Sequence, residues 1–89
     1  MAERDLTIIN RLGLHARAAA KLVQTASGYQ SEIRIFKDGR AVSGKSIMGV
    51  MMLAAARGAR IRLQAQGEDA DAALDALEAL VQDRFGEAE

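Results

Sequence analysis

Segments whose apolar residues recur every second position alternate along this chain with segments whose apolar residues recur every three or four positions. The first pattern is typical of a strand with one buried face, and the second of a helix with one buried stripe. The clearest alternation is "RIRLQAQ", residues 60–66, which places Ile61, Leu63 and Ala65 on one face. A chain of 89 residues that switches repeatedly between these periods is expected to pack helices against a sheet.

The switches between the two patterns predict the element order β-α-β-β-α-β-α. The predicted strands are residues 5–10, 31–37, 40–43 and 60–66, and the predicted helices are residues 16–27, residues 46–58 and a last helix through Ala70 and Val81. Asp38-Gly39 indicates a hairpin turn, and Gly28 is predicted to end the first helix with a positive φ. We therefore expect an α+β fold, a two-layer open-faced sandwich whose four-stranded, mostly antiparallel sheet carries three helices on one face.

The composition is that of a single domain covering residues 1–89, and it excludes several kinds of site. The chain has no cysteine and one histidine, so we expect no disulfide, no bound metal and no cofactor. No apolar run approaches the ~20 residues that span a membrane, and the N-terminus lacks the apolar segment of a signal peptide. We therefore expect a cytoplasmic protein without membrane contact. We also expect it to be a monomer.

The formal net charge of zero conceals a segregation of charge along the chain. Residues 1–67 contain eleven lysines and arginines against four acidic residues, whereas residues 68–89 contain one arginine against eight acidic residues. A basic body suggests a negatively charged partner, although a solvated acidic helix explains the same pattern. Nucleic acid is not the expected partner, because the chain has only one tyrosine and two phenylalanines and does not interleave them with basic residues.

His15, in "RLGLHARAAAKL" (residues 11–22), stands where Ser, Thr, Asp or Asn would normally cap the first helix. The first N–H groups of a helix lack intrahelical acceptors, and the helix dipole places about half a positive charge at this end. The N-terminus of a helix disfavours the charged imidazolium, so the neutral ring keeps a lone pair for nucleophilic attack. The same N–H groups form a binding site for a phosphate. His15 is therefore a candidate phosphoryl acceptor.

Two neighbours of His15 suit the same chemistry. Arg17 can bind the anion through charge-assisted hydrogen bonds, and Gly13 permits a sharp turn without bulk in the path of a partner. A nucleophile, free amides and an arginine suffice for phosphoryl transfer, which depends mainly on positioning and charge stabilisation. The alternative interpretation is a surface histidine at a helix end with a solvated arginine nearby.

The second helical segment, "SIMGVMMLAAAR", is apolar on nearly every side. A domain this small has little material to cover a whole helix, so Ile47 or the methionines are expected to be exposed unless the helix is deeply buried. Flexible methionine side chains suit a surface that docks several partners. Ser46 is the expected N-cap, and a phosphate on its hydroxyl would also be stabilised by the helix dipole.

The segments "GLHARAAAKLV" and "GKSIMGVMML", with the element order, resemble the HPr family, the histidine-containing phosphocarriers of the bacterial phosphoenolpyruvate-dependent phosphotransferase system. The resemblance covers almost the whole chain. It implies that His15 accepts a phosphoryl group on Nδ1 from phosphorylated Enzyme I and passes it to an EIIA-type protein, with Arg17 as the active-centre arginine. Such a protein is a carrier rather than a turnover enzyme, and magnesium serves the Enzyme I reaction.

The resemblance also implies a regulatory site and a docking surface. Ser46 matches the serine that an HPr kinase/phosphorylase phosphorylates in many bacteria. Partner docking is expected on the exposed parts of the first two helices, at Ala16, Ala20, Lys21, Gln24, Ile47, Met48, Met51 and Met52.

One position departs from the family pattern. Many members have proline directly after the active-centre arginine, where this chain has Ala18. The difference indicates a divergent branch, such as the nitrogen-related NPr phosphocarriers or a regulatory system that lacks sugar permeases. The alternative function is a regulatory binding module, in which the state of Ser46 or His15 controls a kinase, transporter or transcription factor by contact.

Overall fold

A four-stranded antiparallel sheet forms one layer of the protein, and the helices form the other. The computed structural model describes residues 1–89. The elements are β1 (Ala2–Thr7), α1 (Ala16–Ser27), β2 (Glu32–Lys37), β3 (Arg40–Ser43), α2 (Ile47–Met52), β4 (Arg60–Gln66) and α3 (Ala70–Gln82), followed by a 3₁₀ turn (Arg84–Gly86). The predicted order and the predicted two-layer fold are confirmed.

The sheet has the strand order β1-β4-β2-β3, with every pair antiparallel, so β1 and β3 are its edges. The predicted alternation is present, because the helix-facing side of the sheet is buried at Leu6, Ile33, Ile35, Ile61, Leu63 and Ala65. The outer face carries polar side chains that pair across strands, such as Arg62 with Asp5 at 2.8 Å. Asp38 and Gly39 form the predicted turn, with φ values of 50° and 80°.

The helices cover the buried face of the sheet, and their apolar stripes complete the core. α3 packs on β1 and β4, and α1 packs against both α2 and α3. Arg4 of the edge strand β1 reaches α3, where it forms ion pairs with Asp75 at 2.6 Å and Glu78 at 2.7 Å. None of the helices has both the length and the apolar character needed to cross a lipid bilayer.

The second helix is shorter than predicted, because α2 ends at Met52 and not at residue 58. Ala54 has a φ of 50°, a left-handed conformation that interrupts a right-handed helix. The chain turns back there, which buries Ala55 and brings its carbonyl oxygen to 2.9 Å from the backbone nitrogen of Leu14. The sequence pattern is apolar in this region because Leu53 and Ala55 enter the core from a loop.

The first strand begins and ends earlier than predicted, at Ala2–Thr7 and not at residues 5–10. Residues 3–5 are all charged, so the start of this strand shows no alternation of apolar and polar residues. Ile8 still extends the pairing, since its N–H donates to the Ala59 carbonyl at 2.9 Å. Asn10 is fully buried, but in the loop that leads to α1.

Gly28 ends α1 as predicted, but its φ is −75°, so the positive φ expected there is wrong. The last turn tightens instead. The N–H groups of Gly28 and Tyr29 donate to the carbonyls of Thr25 and Ala26, both at 3.2 Å. Bonds between residues three apart satisfy the final carbonyls without a left-handed residue.

Asp69, just before α3, ties the start of that helix to the segment before β2. Its carboxylate accepts hydrogen bonds from the Gln30 and Ser31 N–H groups at 2.8 Å and 2.9 Å, and from the Ser31 hydroxyl at 2.5 Å. The side chain does not cap its own helix. The hydrogen bonds from the Ser31 hydroxyl and the Gln30 amide hold the pKa of Asp69 below its ordinary value.

We expect Asp69→Asn to lower the melting temperature at neutral pH, and to remove part of the acid sensitivity of the wild type. A carboxyl whose pKa is lowered on folding stabilises the native state at pH values above its ordinary pKa of 3.8. This contribution to stability disappears as the pH falls through the pKa of the folded protein. Thermal unfolding from neutral pH to about pH 2 measures the difference. Asp71→Asn, in the same helical turn but exposed, is the control, and an unchanged pH dependence in Asp69→Asn would contradict the prediction.

Candidate functional site

His15 is the N-cap of α1, as the sequence predicted. Its backbone is extended, with φ −72° and ψ 178°, and its carbonyl accepts the first helical hydrogen bond from the Ala19 N–H at 2.8 Å. The imidazole does not cap the helix, so the N–H groups of Ala16, Arg17 and Ala18 have no hydrogen-bond acceptor. These amides and the positive end of the helix dipole leave an anion seat beside a half-buried imidazole.

The loop before His15 is held by the segment that follows α2. Gly13 has a φ of 65°, and a Cβ at this position would lie 2.5 Å from the carbonyl oxygen of Ala55. The next residue, Leu14, is buried and donates its N–H to that same carbonyl at 2.9 Å. Only glycine fits this close approach of two backbones, so the sharp turn that the sequence predicted is also a packing requirement.

Arg17 is exposed and forms neither an ion pair nor a hydrogen bond. It shares with His15 a pocket of about 570 Å³, which is lined by Arg11, Leu12, His15, Ala16, Arg17, Glu87, Ala88 and Glu89. A larger depression of about 620 Å³ lies on the outer face of the sheet and contains none of the predicted site residues. The structure thus brings His15 and Arg17 to one pocket and leaves the guanidinium available for an anion.

The C-terminal segment folds back onto this pocket, which the sequence analysis did not predict. Nε2 of His15 is hydrogen-bonded to a carboxylate oxygen of Glu87. The other oxygen of Glu87 accepts from the Asn10 amide at 3.1 Å. The hydrogen bond from the His15 ring, followed by that from Asn10, holds the pKa of the Glu87 carboxyl below its ordinary value.

The charge that is segregated along the sequence is mixed in the folded protein. Arg11 of the basic body pairs with Glu89 at 3.3 Å, and Arg4 pairs with two acidic residues of α3. The acidic C-terminal part therefore neutralises some of the basic body, and Arg17 is the basic group at the pocket that keeps an unpaired charge.

The predicted exposed face of α2 is present. Ile47, Met48, Met51 and Met52 expose 44%, 74%, 43% and 60% of their surface, whereas Val50 is buried. α2 packs against α1, on which Ala16 and Gln24 are exposed and Ala20 and Lys21 are partly exposed. Together these residues form an apolar surface with a polar border, which we call the docking face. Leu12, 59% exposed, adds an apolar side chain at the pocket itself.

Ser46 is the N-cap of α2, as predicted, and its hydroxyl accepts a hydrogen bond from the Gly49 N–H at 3.1 Å. Lys45 does not contact this hydroxyl, and its ammonium group donates to the Tyr29 carbonyl at 2.7 Å. The Ser46 side chain therefore has a structural role whether or not it is ever modified.

We expect Ser46→Ala to lower the free energy of unfolding by about 1 kcal/mol, because the Gly49 N–H loses its acceptor. Ser46→Asp should keep most of the stability, since a carboxylate accepts the same hydrogen bond. Urea unfolding of the three proteins measures both differences. Equal stability of the wild type and Ser46→Ala would show that the capping bond contributes nothing.

The comparison with protein families gives a match over most of the chain. The family model described as "PTS HPr component phosphorylation site" matches residues 2–83. The chain belongs to the HPr family. Phosphocarrier protein HPr of Cupriavidus necator is 55% identical over 89 residues, covering both chains completely. Phosphocarrier protein NPr of Shewanella violacea is 50% identical over 86 residues, covering 97% of this chain and 94% of that one.

The HPr fold is also matched by solved structures of HPr from Thermoanaerobacter tengcongensis. HPr-C-His from that organism gives a TM-score of 0.97 at 45% identity, with both chains covered completely. The HPr dimer from the same organism gives a TM-score of 0.79 at 46% identity, with 98% of this chain and 100% of that chain covered. The resemblance to the HPr family that the sequence motifs indicated is confirmed.

Ala18, where the resemblance to the HPr family leads us to expect proline, is fully buried. Its N–H has no acceptor in the first turn of α1. A proline there would remove no hydrogen bond, and alanine fills the position as a good helix former. The substitution therefore leaves the start of α1 intact in this HPr family member.

Asn10, Phe85 and Glu87 are the residues near the site that the sequence analysis missed. Phe85 is fully buried with a φ of 55°, in the 3₁₀ turn that follows α3. A single aromatic residue among charged neighbours, in "QDRFGEAE", is the signal that the chain returns to the core beyond the last helix. That return places Glu87 beside His15.

Proposed function

We propose that this protein is a phosphocarrier of the phosphoenolpyruvate-dependent phosphotransferase system, accepting a phosphoryl group on Nδ1 of His15 from Enzyme I and passing it to an EIIA-type protein. The observation that carries the proposal is the environment of His15 at the start of α1. Nδ1 makes no hydrogen bond, and three backbone N–H groups beside the ring have no acceptor. Membership of the HPr family supports the same role.

The proposed chemistry needs no metal on this chain. The Nδ1 lone pair attacks phosphorus, and the free amides and Arg17 bind the oxygens of the transferred group through charge-assisted hydrogen bonds. The reverse step uses the same contacts, so the phosphoryl group can be passed on to an acceptor. Because the anion seat is partly open, the donor and the acceptor can approach it in turn.

The docking face is the proposed contact for both partners. It combines flexible apolar side chains of α2 with a polar border that includes Lys21. A small surface of this kind suits brief encounters, because transient interfaces bury little area. The partners proposed for this face are Enzyme I and an EIIA-type protein, and the protein is expected to act as a monomer in the cytoplasm.

Ser46 is the proposed regulatory site, at which an HPr kinase/phosphorylase would add a phosphate. The hydroxyl lies at the start of α2, on the same helix as the exposed methionines. A phosphate at this position would bring about two negative charges to the docking face and weaken contacts with partners that dock there. The same exposed face favours the alternative function, a regulatory module that acts by contact alone.

The experiment that tests the proposal is incubation of the protein with phosphoenolpyruvate, magnesium and a bacterial Enzyme I. We expect one added phosphate by intact mass, labile in acid and stable in base, and located at His15 by fragmentation. Reactions without Enzyme I or without phosphoenolpyruvate are the controls. Absence of phosphate, with the Enzyme I preparation shown to be active on another HPr, would contradict the carrier function and favour the regulatory module.

A further inference from the structure

The two ring nitrogens of His15 lie in different environments. Nε2 is hydrogen-bonded to Glu87, and Nδ1 has no hydrogen-bond partner. The contact is largely shielded from water, since the side chains of His15 and Glu87 are 28% and 17% exposed. A carboxylate can only accept, so the proton of the neutral ring lies on Nε2 and the lone pair on Nδ1.

The Glu87 carboxylate is held by Asn10 as well as by His15. The Asn10 amide, which is fully buried, donates to Glu87 at 3.1 Å and to the Gly13 carbonyl at 2.8 Å. Glu87 is thereby fixed relative to the loop that carries His15.

The backbone around Glu87 is anchored as well. Phe85 is inserted in the core, and its carbonyl accepts from the Lys21 ammonium group at 2.6 Å. On the other side, the Glu89 carbonyl accepts from the Arg11 N–H at 3.0 Å. The carboxylate therefore belongs to a built site and not to a loose tail.

We propose that Glu87 is a positioning residue for phosphoryl transfer at His15: it keeps the proton on Nε2, directs the lone pair of Nδ1 outward, and balances the charge that the ring gains. The inference rests on the proposed function. In the transfer step Nδ1 supplies the electron pair of the new N–P bond, and the bond between phosphorus and the donor atom breaks with its pair left on the donor. Nε2 keeps its proton throughout, and the positive charge that develops on the imidazole faces Glu87. A buried carboxylate orients a histidine in hydrolytic triads by the same physics.

The first test is the protonation of the His15 ring in the unphosphorylated protein. Because the chain contains one histidine, ¹⁵N NMR of the ring nitrogens needs no further assignment. The control is Glu68→Gln, because Glu68 is exposed and lies outside the pocket. In the neutral form of the ring, we expect the wild type and Glu68→Gln to carry the proton on Nε2 alone, and Glu87→Ala to show a mixture of both tautomers. A protonated Nδ1 in the wild type, or an unchanged ring in Glu87→Ala, would overturn the proposal.

The second test is the rate of phosphoryl transfer from Enzyme I to the same proteins. We expect Glu87→Ala to be slower by about ten- to a hundredfold, the value of a hydrogen bond to a charged group, with Glu87→Gln between it and the wild type. Glu68→Gln, altered outside the pocket, should transfer at the wild-type rate. Circular dichroism confirms that each variant is folded at the assay temperature.

The outcomes separate the two proposals. A wild type that takes phosphate as fast as Glu87→Ala overturns the role of Glu87 and leaves the carrier function standing. A wild type that takes no phosphate from an active Enzyme I overturns the carrier function, and the role of Glu87 with it.

Discussion

His15→Ala is expected to reduce phosphoryl transfer from Enzyme I by at least about a thousandfold, to the background of the assay. The reason is that no second nitrogen nucleophile replaces the imidazole, since the chain has one histidine and Lys21, on the same helix, donates its ammonium group to the Phe85 carbonyl. The loss is larger than that expected for any other single change, because covalent acceptance has no substitute at this position. Intact mass after incubation with phosphoenolpyruvate and Enzyme I measures it.

The control for this variant is Ser46→Ala, which removes the N-cap side chain of α2. It should lose about 1 kcal/mol of stability and still accept the phosphate. The His15 ring does not cap α1, so His15→Ala should remain folded and unfold cooperatively. Phosphate on His15→Ala, at the stoichiometry of the wild type, would contradict the assignment of the acceptor. If His15→Ala binds a regulatory partner as tightly as the wild type does, the contact with that partner needs no phosphate.

Gly13→Ala is expected to lower the free energy of unfolding by about 2–4 kcal/mol. This is the sum of the cost of placing alanine in a left-handed backbone conformation and the cost of a steric clash with the backbone of a neighbouring loop. The new Cβ would lie 2.5 Å from the Ala55 carbonyl oxygen and 2.9 Å from the Ala56 Cα. Neither atom belongs to a flexible side chain, so the loop must move. Because this loop carries His15, transfer from Enzyme I should slow even at temperatures where the variant is folded. Urea unfolding and the transfer assay measure the two effects.

Gly39→Ala separates the clash from the backbone strain. Gly39 also has a positive φ, 80°, but a Cβ there would have no atom within 4 Å. We expect a loss of about 1 kcal/mol and an unchanged rate of transfer, because the turn between β2 and β3 lies away from the pocket. Equal losses of unfolding free energy in Gly13→Ala and Gly39→Ala would show that the close approach of Gly13 to Ala55 adds nothing to the cost of the substitution.

The sequence predicted the fold because its main features are local. Alternation in "RIRLQAQ" and "SEIRIFK" marks strands with one buried face, and Ile33, Ile35, Ile61 and Leu63 are indeed buried. His15 was placed at the helix start by the change of period around it, and Ser46 likewise. Each of these inferences needs only the few residues on either side of the position concerned.

The features that the sequence did not predict depend on contacts between distant parts of the chain. The end of α2 is set by the hydrogen bond between the Leu14 N–H and the Ala55 carbonyl, although the local sequence pattern continues as that of a helix. The Asn10–Glu87 and His15–Glu87 contacts join positions more than seventy residues apart. The sequence around each of these residues does not indicate which distant residue it contacts. Hydrophobic periodicity carries no information about such pairs.

The two edges of the sheet have a consequence for how the protein behaves when it is abundant. β3 is only four residues long, and β1 carries three consecutive charged residues. One of these, Arg4, points toward α3 and pairs with Asp75 and Glu78. Short edges and inward charges oppose the addition of a strand from a neighbouring molecule, the contact by which β proteins aggregate. We therefore expect this protein to stay free of strand-to-strand aggregates even in concentrated solution.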